Sequence, residues 1–422
     1  MVEKLVIDTI LRRLRHGRVV LRYWDGDVRS YGRSGPVVHV DVHDVAVARR
    51  AVASATLAFG EAYVSGDVEV PETELDALFW LVAHNGSAVQ ALKPLRHLYR
   101  PERNRRDRQR SQISRHYDIG NDYYQLFLDP TLTYSCAYFE SDADSLETAQ
   151  RQKIDHTVRK LRLEPGQRLL DIGCGWGHLA VAAAKQHDVS VVGVTLSHEQ
   201  LAEAEKLAAR EGVGDRVRFE LMNVQDLPAS DDPALRRPYD RIVSVGMFEH
   251  VGRDLHRAFF ETVDRMLVPG GVGLLHTITN QMRKSNDAWV DRHIFPGGYL
   301  ATVSDIERML ARQGLWSIDR ENLWHHYART LSMWRRNHQE NRAQIVEMFD
   351  EEFYRMRDLW LAGSKAGFDY GTLGLAQIVF SKGKPASWPW TRRDLYTAST
   401  SAPEVATSED EHPTADTPAH AW

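Results

Sequence analysis

The sequence predicts an α/β protein whose main domain is a doubly wound, mostly parallel sheet, preceded by a small α+β module. Three observations predict it. Five short apolar runs, at 168–172, 190–194, 217–221, 240–245 and 271–277, alternate with helical stretches between residues 116 and about 384. Strands separated by helices imply parallel pairing, with ligands bound at the carboxyl ends of the strands. The first run reads L-L-D-I-G-C-G-W-G-H-L at 169–179 and ends in Gly173, Gly175 and Gly177 before a helical pattern begins. Glycine has no Cβ, so such a turn brings backbone N–H groups close to a ligand. Finally, 422 residues with 43% hydrophobic content suffice for two domains and a sizeable core.

Composition excludes several classes. A net charge of −5 gives no global attraction to nucleic acid. Two cysteines, Cys136 and Cys174, make no disulfide scaffold and fit a reducing cytosol. No apolar run approaches the roughly 18–20 residues of a membrane span. The N-terminal pattern Ile7, Ile10, Leu11, Leu14 has its arginines after the apolar residues, which is not a signal peptide. The expectation is a soluble, cytoplasmic protein whose membrane contact is peripheral, at the inner face.

In chain order, residues 1–98 form the α+β module. Strands are expected over 19–24 and 37–42, around turns at Asp25-Gly26 and Gly35-Pro36. Helices are expected over 45–59 and 74–82, with F-G-E-A-Y-V-S-G-D-V at 59–68 as a packed turn between them. Residues 99–115 are a basic linker carrying Arg100, Arg103, Arg105, Arg106, Arg108, Arg110 and Arg115 against Glu102 and Asp107. Such a run is either a solvated linker or a surface for anionic lipid headgroups, at roughly 1 kcal/mol per nearby arginine. No aromatic interleaving or base-reading module accompanies it, so nucleic acid is not expected. The main α/β domain is expected over 116–390. Residues 391–422, rich in Ser, Thr, Pro and acids, are expected to be a disordered acidic tail.

Within the main domain the second run ends in V-V-G-V-T-L-S, with Thr195 where a dinucleotide site carries an acid. That departure argues against a dehydrogenase. Thr195 and Gln200 remain as groups for a nucleoside. The third run leads to Gln225 and Asp226 as candidates for an adenine edge. The fourth ends in V-S-V-G-M-F-E-H-V, and M-L-V-P-G-G precedes the fifth.

D-I-G-C-G-W-G, V-G-V-T-L-S, F-E-H and L-V-P-G-G together resemble class I S-adenosylmethionine-dependent methyltransferases, which implies a seven-stranded Rossmann-like sheet. More narrowly, H-Y-D-I-G-N-D-Y-Y, D-P-T-L-T-Y-S-C-A-Y-F, S-V-G-M-F-E-H-V-G and H-I-F-P-G-G resemble the cyclopropane-fatty-acyl-phospholipid synthase and mycolic-acid methyltransferase family, over about 115–384. The N-terminal module resembles the extra, lipid-associated domain of the bacterial phospholipid enzymes.

The resemblance implies methyl transfer from S-adenosylmethionine to a cis double bond of an unsaturated phospholipid acyl chain, through a carbocation. An alkene is a poor nucleophile, so alignment supplies much of the acceleration. The cation needs a dry pocket with aromatic faces. A base then removes a proton from the added methyl before the ring closes. In the family that base is bicarbonate, and its holders carry over onto Cys136, Glu249, His276, Ile278 and Tyr327. For the cofactor, Tyr134, Ser135, Asp171, Gly173, Gly175, Thr195, Gln200, Val224 and Gln225 carry over.

Other readings stand beside these. A hydride shift before deprotonation gives an exo-methylene branch, the precursor of a methyl-branched chain, instead of a ring, with Glu140 or Glu147 as an alternative base. Small-molecule N-methylation and a non-catalytic lipid-binding protein are rivals. The N-terminal module and arginine run weigh against the first, the intact five-residue set against the second. Cys174 reads as a small buried residue and His250 as a cap for the helix that follows. His276 reads as lining the site through its backbone and not as a base. His325 and His326 diverge from one another and complete no metal set. Part of the aromatic stretch 316–370 is expected to form the acyl pocket, and a homodimer is left open.

Overall fold

The computed structural model describes residues 2–86, 119–385 and 387–396. The basic run at 99–115, the start of the H-Y-D motif and the chain beyond 396 lie outside the described residues. In the N-terminal module, β1 (Arg18–Arg22), β2 (Val28–Gly32), β3 (Val37–Val42) and β4 (Val68–Glu69) form a sheet in the order β2-β1-β3-β4. The expected turn at Asp25-Gly26 joins β1 to β2 as an antiparallel hairpin, with Gly26 at φ 84°. Only β1 and β3 were expected from alternation.

The helix expected over 45–59 is two helices, Val45–Ala53 and Ala55–Ser65, separated by Ser54 in an extended conformation. Serine favours such capping positions. The stretch 59–68 is therefore not a turn. It is helical as far as Ser65 and closes at Gly66 in the left-handed conformation. Gly60 sits inside the helix for another reason: a Cβ there would lie 2.3 Å from the ring of Trp289, on the main domain's helix Ala288–His293.

In the main domain, β5 (Arg168–Ile172), β6 (Ser190–Thr195), β7 (Val217–Leu221), β8 (Tyr239–Val245) and β9 (Leu267–Asn280) realise the five expected strands. Two more, β10 (Leu315–Asn322) and β11 (Leu373–Lys382), complete a seven-stranded sheet in the order β10-β11-β9-β8-β5-β6-β7. β11 runs antiparallel between β9 and β10, and its register sets Leu375 opposite Ile278 and Gln377 opposite His276. The parallel strands β6 and β8 flank β5 on opposite sides. The strand order therefore reverses beside β5, which opens a crevice at its carboxyl end.

Met1–Ala386 form one compact unit. The helix Glu351–Asp369 packs against the module's helices Ala55–Ser65 and Leu75–His84. Buried Arg335 bonds both carboxylate oxygens of Asp358 at 2.8 and 3.1 Å and reaches the Glu72 carbonyl at 2.9 Å. Arg355 donates to the Tyr63 carbonyl at 2.6 Å. In the second unit, Arg393–Tyr396 is helical where the disordered tail was expected to have begun.

Gly60→Ala tests the close packing on Trp289. It is expected to cost about 1–3 kcal/mol, the range for overpacking a tight contact, read from the urea denaturation midpoint.

Candidate functional site

The carboxyl ends of β5, β6, β7 and β8, with the segment 131–135, frame a cleft of about 150 Å³ that opens to solvent. All nine residues carried over for the cofactor line it: Tyr134, Ser135, Asp171, Gly173, Gly175, Thr195, Gln200, Val224 and Gln225. Asp226 does not, since it is exposed. Met222 and Asn223 line that end of the cleft instead.

The glycines of the turn do different work. Gly173, at φ 80°, passes beside Met247, where a Cβ would approach to 2.6 Å. Gly175, at φ 55°, would meet nothing within 4 Å, so its backbone is open to a ligand. Gly177 lets the next helix close on the sheet, because a Cβ there would lie 2.7 Å from Phe219. The N–H groups of Gly173 and Cys174 both donate to the Val194 carbonyl, at 2.9 and 3.1 Å, tying the turn to β6. Thr195 Oγ1 donates to Gln200 Oε1 at 2.8 Å. Cys174 is buried, as expected.

Two buried charges face this cleft. Asp171 Oδ2 makes no hydrogen bond, and burial pushes its carboxyl up to about 7, against the pull of Lys153. Lys153 donates to Ser135 Oγ at 3.1 Å, and burial draws its ammonium down to about 8. The wall's histidines, His178 and His250, are held near 4 by burial and stay neutral. A carboxylate with a vacant acceptor, an ammonium and an open glycine backbone fit the amino-acid end of S-adenosylmethionine. Lys153 was missed in the sequence. Its one signal is the recurrence of Gln150, Lys153, Thr157 and Lys160 at helical spacing on the helix Leu146–Leu161.

The other five candidates are linked to one another through β9, β11 and Leu323, beyond the 134–135 segment. After β8, the turn Phe248–His250 presents Glu249, whose Oε1 accepts from the Ile278 N–H at 2.6 Å. Glu249 Oε2 is buried without a bond, and burial raises the carboxyl to about 6 against that N–H. Opposite Ile278, the Leu375 carbonyl accepts from Leu323 N at 2.8 Å. The Leu323 carbonyl in turn accepts from Tyr327 N at 3.1 Å and lies 3.9 Å from Cys136 Sγ. Burial pushes the Cys136 thiol far above its ordinary value, so it stays protonated. His276 lies two residues before Ile278 on β9, and its Nε2 is buried and makes no hydrogen bond.

Aromatic rings surround this patch. Tyr134 contacts Tyr124, Trp334 and Trp360 at ring-centre distances of 5.4, 5.3 and 6.3 Å, and Tyr327 contacts Phe368 at 4.7 Å. Trp316 and Trp324, by contrast, are exposed. Tyr134 and Ser135 line the cleft while Cys136 belongs to the patch, so three consecutive residues join the two. An oxyanion carrying one proton, as bicarbonate does, fits a patch with a vacant carboxylate acceptor and a vacant imidazole nitrogen.

Several expectations change. His250 caps no helix; it lines the cleft, with its ring 5.5 Å from Phe295. Glu140 is exposed and Glu147 pairs with Arg151 at 2.8 Å on the surface, so neither reaches the patch as a base. His325 is exposed, whereas His326 accepts from Phe139 N at 3.0 Å and stacks on Tyr138.

Asp171 sets a pH test. Its carboxyl titrates near 7, above the ordinary 3.8, so it becomes anionic only as pH rises through 7. Affinity for the ammonium-bearing S-adenosylhomocysteine is expected to rise from pH 6 to pH 8. Asp171→Asn should abolish that rise and weaken binding at pH 8 by about tenfold, the worth of a charge-assisted bond, measured by calorimetry.

Comparison with known proteins follows the same lines. Residues 104–378 match the mycolic acid cyclopropane synthetase family, and residues 6–90 match a domain of unknown function. A probable fatty acid methyltransferase of Pseudomonas putida is 34% identical over 394 residues, covering 89% of this chain and 95% of its own length. The cyclopropane-fatty-acyl-phospholipid synthase of Escherichia coli K12 is 37% identical over 342 residues, covering 79% and 85%. Among solved structures, the mycolic acid cyclopropane synthase CmaA1 complexed with SAH and CTAB superposes with a TM-score of 0.60 at 36% identity, covering 65% of this chain and 98% of that one. The chain belongs to the mycolic acid cyclopropane synthetase family of S-adenosylmethionine-dependent class I methyltransferases.

Proposed function

We propose that this enzyme transfers the methyl group of S-adenosylmethionine to the cis double bond of an unsaturated phospholipid acyl chain and closes a cyclopropane ring. The observation that carries the reading is the union of cleft and patch across Tyr134-Ser135-Cys136, with Glu249 Oε2 and His276 Nε2 vacant in aromatic surroundings. When bound, S-adenosylmethionine supplies an electrophilic methyl and bicarbonate supplies the base. Cys136, Glu249, His276, Ile278 and Tyr327 hold the anion, and Glu249 accepts the anion's own proton. The rings of Tyr134, Trp334, Trp360 and Phe368 exclude water and offer π faces to positive charge. The protonated Cys136 thiol does not compete as a nucleophile.

The name of the Escherichia coli relative supports a phospholipid substrate. No helix among the described residues is long and apolar enough to cross a membrane. Contact with the inner membrane face is proposed through the arginines of 99–115, by attraction to anionic headgroups. A second reading ends in an exo-methylene branch, the precursor of a methyl-branched chain; the Pseudomonas putida relative is named for methyl transfer to a fatty acid, with no ring in the name.

Proton NMR of the product lipid separates the two readings, since both add the same mass. High-field ring protons are expected, and vinylic signals alone would overturn cyclopropane formation. Glu249→Gln keeps the acceptor for Ile278 N but loses the carboxylate. It should bind S-adenosylhomocysteine within about threefold of the unmodified enzyme and lose about a hundredfold or more in turnover. Normal turnover would remove Glu249 from the mechanism.

A further inference from the structure

Behind the patch lies a row of buried polar side chains of which the proposed reaction uses only Lys153, at the cofactor cleft. The helix Leu146–Leu161 turns Lys153, His156, Thr157 and Lys160 inward. Lys160 Nζ donates to Gln377 Oε1 at 2.6 Å and to Glu321. His156 Nε2 lies 2.8 Å from the same Glu321 carboxylate. Burial pushes that carboxyl up, but its bonds to His156 and Lys160 prevail and hold it near 2, so it stays anionic. Gln377 faces His276 across the β9–β11 pair, and its Nε2 lies 3.0 Å from His276 Nδ1 and 3.4 Å from Thr157 Oγ1.

These bonds admit one assignment of protons. An ammonium only donates, so the Gln377 atom facing Lys160 is the carbonyl oxygen and the atom facing His276 is the amide nitrogen. Thr157 agrees. Its hydroxyl proton is committed to the Lys153 carbonyl at 2.7 Å, which leaves its oxygen to accept from the same amide. The amide therefore donates to His276 Nδ1, and that nitrogen carries the lone pair. Burial, reinforced by Lys153 and Lys160, keeps the imidazole neutral, against the opposing pull of Glu321. A neutral ring with an acceptor at Nδ1 has its proton on Nε2. That N–H is buried and has no partner among the described residues.

We infer that Gln377, clamped by Lys160 and Thr157, is a positioning residue that fixes His276 as the Nε2–H tautomer, making His276 a hydrogen-bond donor to the anionic base and not itself a base. The inference rests on the anion site proposed above. It also assigns a purpose to the polar face of the helix: the ammonium orients the amide, and the amide orients the proton.

Long-range proton–nitrogen NMR on the full chain with ¹⁵N-histidine reads the tautomer directly, with His276 identified by its loss in His276→Asn. The expected unmodified spectrum has the proton on Nε2. Gln377→Glu preserves size and the Lys160 contact but offers His276 only an acceptor, so the proton should move to Nδ1. Gln377→Leu removes the donor without supplying an acceptor. Turnover should fall about a hundredfold in Gln377→Glu and about tenfold in Gln377→Leu, with S-adenosylhomocysteine affinity within about threefold of the unmodified enzyme in both. A merely structural glutamine predicts the reverse ranking. A proton on Nδ1 in the unmodified enzyme, an unmoved tautomer in Gln377→Glu, or Gln377→Glu at least as active as Gln377→Leu would overturn the inference. Full turnover in bicarbonate-depleted buffer would instead overturn the anion reading, and the tautomer spectrum would still decide the role of Gln377.

Discussion

Burial of the polar face of the helix Leu146–Leu161 constrains the rest of the structure. A buried charge without a partner costs several kcal/mol, so each of these side chains must be met by a specific group. Gln150 holds the carbonyls of Thr133 and Ser135, and Lys153 holds the Ser135 hydroxyl. His156 and Lys160 hold Glu321 on β10, and Lys160 also holds Gln377 on β11. Satisfying one helix thus pins the segment that lids the cofactor cleft and the two strands beside β9. Cleft and patch take their relative position from the same helix.

The apolar side of the arrangement is equally continuous. One hydrophobic cluster runs from Tyr63 and Leu75 of the N-terminal module, through Tyr354 and Trp360, to Trp334, Tyr134 and Cys136. Arg335 and Arg355 close the polar gaps along that seam. The module therefore shares one continuous core with the aromatic rings around Tyr134 and Cys136, while burial within the main domain lifts Glu249 to about 6 and Asp171 to about 7. Carboxyls poised near neutrality are what a site that binds an ammonium and moves a proton requires.

The strands that were legible are the buried parallel ones, because a strand covered on both faces reads as an unbroken apolar run. β10 escaped detection because it is an edge strand, L-W-S-I-D-R-E-N, with charged residues along its exposed side. The helix Ala55–Ser65 was misread because two glycines fall in one short stretch. Gly60 is there for contact with Trp289 and Gly66 for a left-handed cap, and local sequence does not distinguish those uses. Lys153 and Lys160 were passed over because periodicity reports which side of a helix is polar, not which side is buried.

Sequence alone disclosed the cofactor turn and, through the resemblance its motifs carry, the class of its ligand and nine of the residues that line the cleft. Those features are local: the positive φ of Gly173, Gly175 and Gly177 and the strand before them depend on adjacent residues. Tertiary structure decided which polar atoms meet. Gln377 and His276 are 101 residues apart in the chain, and Lys160 and Gln377 are 217 apart. No pattern of spacing encodes such pairs, because they exist only once β11 has returned antiparallel beside β9 and the helix has closed over both.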